Sequence, residues 1–141
     1  MLISLILEAY VIRSGVGKFS VRERLSMLPE DRDAAYLWDM REAARDVVQW
    51  TQDVNYEEFC NNEMLHSAVE RKLEVFGEAA GRVSISMQEA HAEIPWKDIK
   101  GIRVILAHKY AEIELSIIWA AAKNELPKIL PNLDSLIPPL E

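Results

Sequence analysis

Two long apolar stripes at helical spacing constrain this chain more than any other feature. Ala34, Leu37, Met40, Ala44, Val47, Thr51 and Val54 recur every three or four residues, which lines them along one face of a helix. Leu65, Val69, Leu73, Phe76, Ala80 and Val83 repeat the pattern. The spacing predicts one long helix from Asp31 to Val54, with Asp31 or Asp33 as its cap, and a second from Met64 to Val83. The second contains Gly77, Ala79, Ala80 and Gly81. Glycine inside a helix costs roughly 1 kcal/mol against alanine, so small residues here suit close approach of a neighbouring helix. No stretch alternates at a period of two, as a half-buried strand would, and no internal repeat is visible. The fold class is all-α.

Shorter elements fill the gaps. Asn55-Tyr56-Glu57-Glu58 has the form of a capping box, opening a short helix with Phe59 inward. Ser86-Met87-Gln88-Glu89 has the same form and predicts a short helix through Ala90. Ile94-Pro95 breaks it. Another helix begins at Ile99 or Ile102 and runs to about Tyr110. Glu112 to Glu125 is the last long helix, with Leu115, Ile118, Trp119 and Ala122 inward. Pro127 ends or kinks it, and Pro131, Pro138 and Pro139 mark a frayed tail. Met1 to Ser26 stands apart. Its opening apolar run meets Glu8 with no preceding basic residue, which makes a poor signal peptide and is too short to span a bilayer. The expectation is a domain over residues 27–141 and an extension over 1–26 that is not native, with Met27 as the natural start. The alternative is an extra helix covering an apolar surface.

The segment Gly101 to Tyr110 concentrates chemistry, with Arg103, His108 and Tyr110 and no proline among them. At about 100° per residue, Arg103 and Tyr110 lie within roughly 20° of each other on one stripe with Ala107. His108 sits about 140° round from Arg103, so a straight helix does not stack the two. Arginine reach, a local distortion or a second copy of the helix can still bring them together. Arginine stays charged and forks onto phosphate oxygens. Histidine moves protons near neutral pH. RNA carries its own nucleophile, the 2′-OH, so this pair is enough for phosphodiester cleavage without metal.

Arg103, four residues, His108, one residue, Tyr110 resembles the R-x4-H-x-Y motif of HepT-like toxins of the HEPN superfamily. The resemblance extends further. Glu93 to Ile99 with Gly101 is similar to the family's lead-in, Leu73 to Ala80 to its L-E-x-x-G-E-A-A helix, and Asn124 to Pro127 to its N-D-L-P ending. The four blocks, in order and spacing, cover about Leu28 to Leu136. The resemblance implies a HEPN-like up-down bundle of three to four longer helices with short connectors. It also implies a homodimer whose two R-x4-H segments line a shared cleft. Its activity would be that of a metal-independent endoribonuclease toxin, with Arg103 and His108 catalytic. Its partner would be a nucleotidyltransferase antitoxin that attaches AMP to Tyr110. One departure is Val104, where the family usually has a polar residue; it bears on catalysis more than on fold. A non-catalytic helical module that docks a nucleotidyltransferase is the alternative.

At 141 residues with half of them hydrophobic, the chain can build one core. A single cysteine, Cys60, excludes an internal disulfide framework and fits a reducing cytosol, hence a cytoplasmic protein. No Cys/His spacing suggests structural zinc, and no cofactor is implied. The net charge of −7 argues against RNA binding by the whole surface. The charge is uneven: Lys97, Lys100, Arg103 and Lys109 against Asp98 give Trp96 to Tyr110 a local +3. Lys97, Lys100 and Lys109 suit a solvated face, with a modest share in steering an RNA backbone. Glu74 and Glu78 share one helix face, as a charged stripe or as paired carboxylates. His66 and His91 stand alone, and Trp96 after Pro95 suits a packing plug.

Overall fold

A computed structural model of the chain describes residues 29–107 and 115–137. Among these, every regular element is helical: α1 (Pro29–Thr51), α2 (Tyr56–Asn61), α3 (Glu63–Arg82), α4 (Ile85–Ala90), α5 (Trp96–Ala107), α6 (Leu115–Ala120), a π-helical turn (Ala121–Glu125) and α7 (Leu126–Leu136). The expected all-α bundle is therefore what forms. Residues 1–26, with the proposed boundary after them, lie outside the described residues. No described helix is long and apolar enough to cross a membrane.

The two stripes form the centre. Met40, Ala44 and Val47 of α1 face Val69, Leu73, Phe76 and Ala80 of α3, all at or near zero exposure within one cluster. α3 lies between α1 and α5, and α1 lies between α3 and α7. Fully burying an aliphatic or aromatic side chain is worth about 1.5–3 kcal/mol, so these stripes outweigh the glycines in α3. Polar contacts fix the pairings. Lys72 Nζ on α3 lies 2.7 Å from Asp46 on α1. Asp134 of α7 accepts from Arg45 of α1 at 3.1 Å. Arg41, buried and lying over the Trp38 ring, is pushed below the usual arginine range by desolvation first and then by neighbouring Arg45.

Several terminal details depart from the local reading. Asp31 and Asp33 do not cap α1, which starts earlier, at Pro29. Asp33 instead accepts from the Ser84 amide at 2.7 Å and from its hydroxyl. That contact makes Ser84, not Ser86, the cap of α4, and the Ser84 hydroxyl accepts from the Met87 amide. The Asn55–Glu58 capping box forms with both of its bonds, and Phe59 is fully buried.

The frayed tail is corrected as well. α7 runs through Pro131 to Leu136, and Leu126, Ile129 and Leu133 are buried. Three such side chains exceed the roughly 3 kcal/mol that an internal proline costs. Pro138 and Pro139 lie outside the described residues. Pro127 does not end the helical run, but the α-helical pattern gives way just ahead of it. Its ring would strike the carbonyl four residues back. The chain widens there into a π turn, in which the Leu126 amide reaches the Ala121 carbonyl five residues away.

Candidate active site

α5 carries the predicted site, and its start is bolted down. Trp96 is buried and its indole Nε1 donates to the His91 carbonyl at 2.9 Å, the packing plug expected of it. Lys100 Nζ donates to Gln88 Oε1 at 2.7 Å, and Gln88 Nε2 donates to the Val83 carbonyl at 2.7 Å. The short helix α4 thus acts as a buttress that ties α5 to the end of α3. α5 begins at Trp96, earlier than the predicted Ile99 or Ile102, because Ile94 and Trp96 are both buried and the Ile99 amide bonds the Pro95 carbonyl.

Beyond Trp96, Ile99 and Leu106 are buried along α5, at 1% and 2% exposure. Arg103 lies between them on the same side. Its Cβ rests against Gly77 of α3, while the residue as a whole is exposed. Its guanidinium makes no hydrogen bond or ion pair with a described residue. About 100–140° round the helix from Arg103, Asp98 and Ile102, with Pro95 just ahead of α5, face a groove of about 490 Å³. Ile117, Ala120, Ala121 and Glu125, from α6 and the π turn, form its other wall with Ile129 of α7. Val104 and Ile105 are exposed by 57% and 46%, and Ile117 by 46%. The cation thus has exposed apolar neighbours along its own helix, Val104 and Ile105. The Arg-x-x-x-x-His spacing says nothing of the exposure of Val104, Ile105 and Ile117, which depends on what packs against α5 and α6.

Of the other predicted site residues, Lys97 is exposed, and Lys100 is half-buried and already bonded to Gln88. His108, Lys109 and Tyr110 lie outside the described residues. Glu74 and Glu78 pair within their own helix, with Arg71 at 3.1 Å and Arg82 at 3.4 Å, as a charged stripe does. The His66 ring meets Phe59 edge-on, and His91 Nδ1 lies 3.4 Å from Glu93. Among the described residues, no group of three or more His, Cys, Asp and Glu is placed to hold a metal ion.

Residues 40–136 match the model of the ribonuclease HepT-like family. The chain belongs to the HepT-like family. The matched span runs from the middle of α1 through α7 and includes Arg103, His108 and Tyr110. Among relatives, "Putative RNase MJ1380" of Methanocaldococcus jannaschii is 42% identical over 67% of this chain and 87% of its own length. A second protein of that archaeon, "Putative RNase MJ0125", is 35% identical over 81% of this chain and 98% of its own. "Probable ribonuclease HepT" of Thermococcus cleftensis is 29% identical over 72% of this chain and 92% of its own. No solved structure matches the chain significantly. HepT-like membership supports a ribonuclease, and it fits an exposed arginine on a braced helix.

Proposed function

We propose that this HepT-like protein is a metal-independent endoribonuclease, the toxin half of a toxin–antitoxin pair. The observation that carries the reading is Arg103. Its Cβ is packed on α3, its guanidinium is unpaired among the described residues, and it lies inside the family-matched span. In the proposed reaction His108 takes the proton from an RNA 2′-OH. The 2′-oxygen then bonds to phosphorus, the 5′-oxygen leaves and is protonated, and a 2′,3′-cyclic phosphate remains. Arg103 stabilises the charge that builds on the phosphorane oxygens. A two-fold dimer would bring Arg103 of one subunit towards His108 of the other, which answers the roughly 140° separation on one helix. Exposed Val104 and Ile105, next to Arg103 on α5, support a second copy docking at this face. AMP added to Tyr110 by a nucleotidyltransferase antitoxin would bring a phosphate to the stripe that holds Arg103, and so block RNA by charge and bulk.

The test is cleavage of RNA by the purified protein in excess chelator, with end-group analysis. Wild type cleaves and leaves the cyclic phosphate. His108→Ala and Arg103→Ala each lose about a hundredfold or more. Loss of cleavage in chelator rejects metal independence, and full cleavage by His108→Ala rejects the mechanism.

Exposed Val104 favours a second reading, a non-catalytic module that docks a nucleotidyltransferase. Expression without the partner separates the two. Arrested growth that Arg103→Ala relieves supports the nuclease. Harmless wild type, with partner binding that survives Arg103→Ala, supports the module.

A further inference from the structure

We propose that Gly77 is a positioning residue for Arg103, and that the absence of a side chain there sets where the guanidinium stands. The inference rests on the nuclease reading. A Cβ at Gly77 would lie 3.1 Å from Arg103 Cβ, 3.2 Å from the Ile99 carbonyl oxygen and 3.5 Å from the Arg103 amide nitrogen. Two of these three neighbours are backbone atoms and the third is fixed to backbone. No flexible tip can swing aside, so any side chain at 77 moves α5 itself. Gly81 is the internal comparison, one turn further along the same helix. A Cβ there meets nothing within 4 Å. Two glycines of one helix thus differ only in what lies opposite, and the one that needs to be small faces the predicted catalytic arginine.

The braces on α5 decide where such a push would go. Trp96 and Lys100 tie its first turns to His91 and Gln88. The helix beyond Lys100 has no such tie among the described hydrogen bonds, so displacement at Gly77 tilts the part that carries Arg103. Relieving contacts of 3.1 and 3.2 Å needs a shift of a few tenths of an ångström; a misplacement of about 1 Å at a catalytic group can cost about a hundredfold in rate, so this smaller one should cost several-fold. Gly77 touches neither RNA nor reacting atoms in this reading; it acts through Arg103.

The experiment compares wild type, Gly77→Ala, Gly81→Ala, Arg103→Ala and the Gly77→Ala/Arg103→Ala double variant on one RNA substrate. Expected for Gly77→Ala is a kcat about three- to tenfold lower with KM within about twofold. Gly81→Ala keeps the wild-type kcat. In the Arg103→Ala background, Gly77→Ala costs less than about a further twofold, because the group it positions is gone. An equal loss in both backgrounds means general damage and overturns the proposal, as does a wild-type kcat in Gly77→Ala. Full cleavage by Arg103→Ala overturns the nuclease mechanism and the positioning role together. A readout that needs neither activity nor a foldable variant is the χ1 angle of Arg103 in the wild type, from NMR scalar couplings. The contact with α3 predicts one rotamer; averaging over three overturns the positioning role alone.

Discussion

Replacing Lys123 with methionine isolates what the π turn contributes to the fold. Lys123 Nζ donates to the Thr51 carbonyl at 2.6 Å, at the end of α1, and lies 5.1 Å from the centre of the Trp119 ring. A hydrogen bond with one charged partner contributes about 1.5–3 kcal/mol. The low end applies, because Lys123 is half-buried and the Thr51 carbonyl keeps a second donor, the Val54 amide at 3.3 Å. The cation over a partly exposed Trp119 adds about 0.5 kcal/mol. Methionine retains most of the aliphatic stem, so little packing is lost. Lys123→Met should therefore lower stability by about 2 kcal/mol, or roughly 6 °C in Tm for a chain of this size. Urea unfolding followed by circular dichroism measures it, with an unchanged m-value as the sign that only stability moved. Lys123→Arg keeps the charge and the ring contact and should recover about half. A methionine variant within about 0.5 kcal/mol of wild type would show that water replaces the lysine without cost, and that the π turn is not held through α1.

Phe59→Ala should cost about 3–4 kcal/mol in the same assay, because the ring is fully buried, with Trp119 at 5.0 Å and His66 at 6.0 Å; a loss under 1 kcal/mol would mean that α2 does not anchor the bundle's end. Asn55→Ala removes the cap of α2 and should cost about 1 kcal/mol, while Asn55→Asp, which can still accept from the Glu58 amide, should stay within about 0.5 kcal/mol of wild type.

The parts of the fold that could be read from the chain are those set by neighbours three or four residues away. The stripes of α1 and α3 were visible because a helix repeats them, and the Asn55–Glu58 box because both partners lie within one turn. Ser86 fits the capping-box pattern and Ser84, with Met87 three residues on, does not, yet Ser84 is the cap. The deciding group, Asp33, sits 51 residues away and holds Ser84 instead. The helix through Pro131 was hidden for a related reason. Its local cost shows in the sequence, but the compensation comes from α1, which α7 packs against. At the site, Arg103 was legible as chemistry, and Gly77 as a small residue suited to close approach. That these two meet depends on the register between α3 and α5, which no local pattern encodes.

That register gives each side of α5 its own task. Ile99 and Leu106 hold the helix to α3, and Pro95 and Ile102 leave it facing an open groove. Arg103 stands at the edge between them, packed at Cβ and exposed at its head. A free arginine side chain gives up about 2 kcal/mol of rotamer entropy when it is fixed. In the proposed reading, α3 behind the first carbon narrows the room left to Cγ and so offsets part of that loss before a phosphate binds. It also leaves the guanidinium unburied, so the charge is not desolvated in the resting protein. A larger residue at 77 would sacrifice the first advantage, and a deeper arginine the second. If Arg103 binds phosphate as proposed, the close approach at Gly77 meets two demands on it: the side chain is held at its base, and its head stays in water until the substrate displaces it.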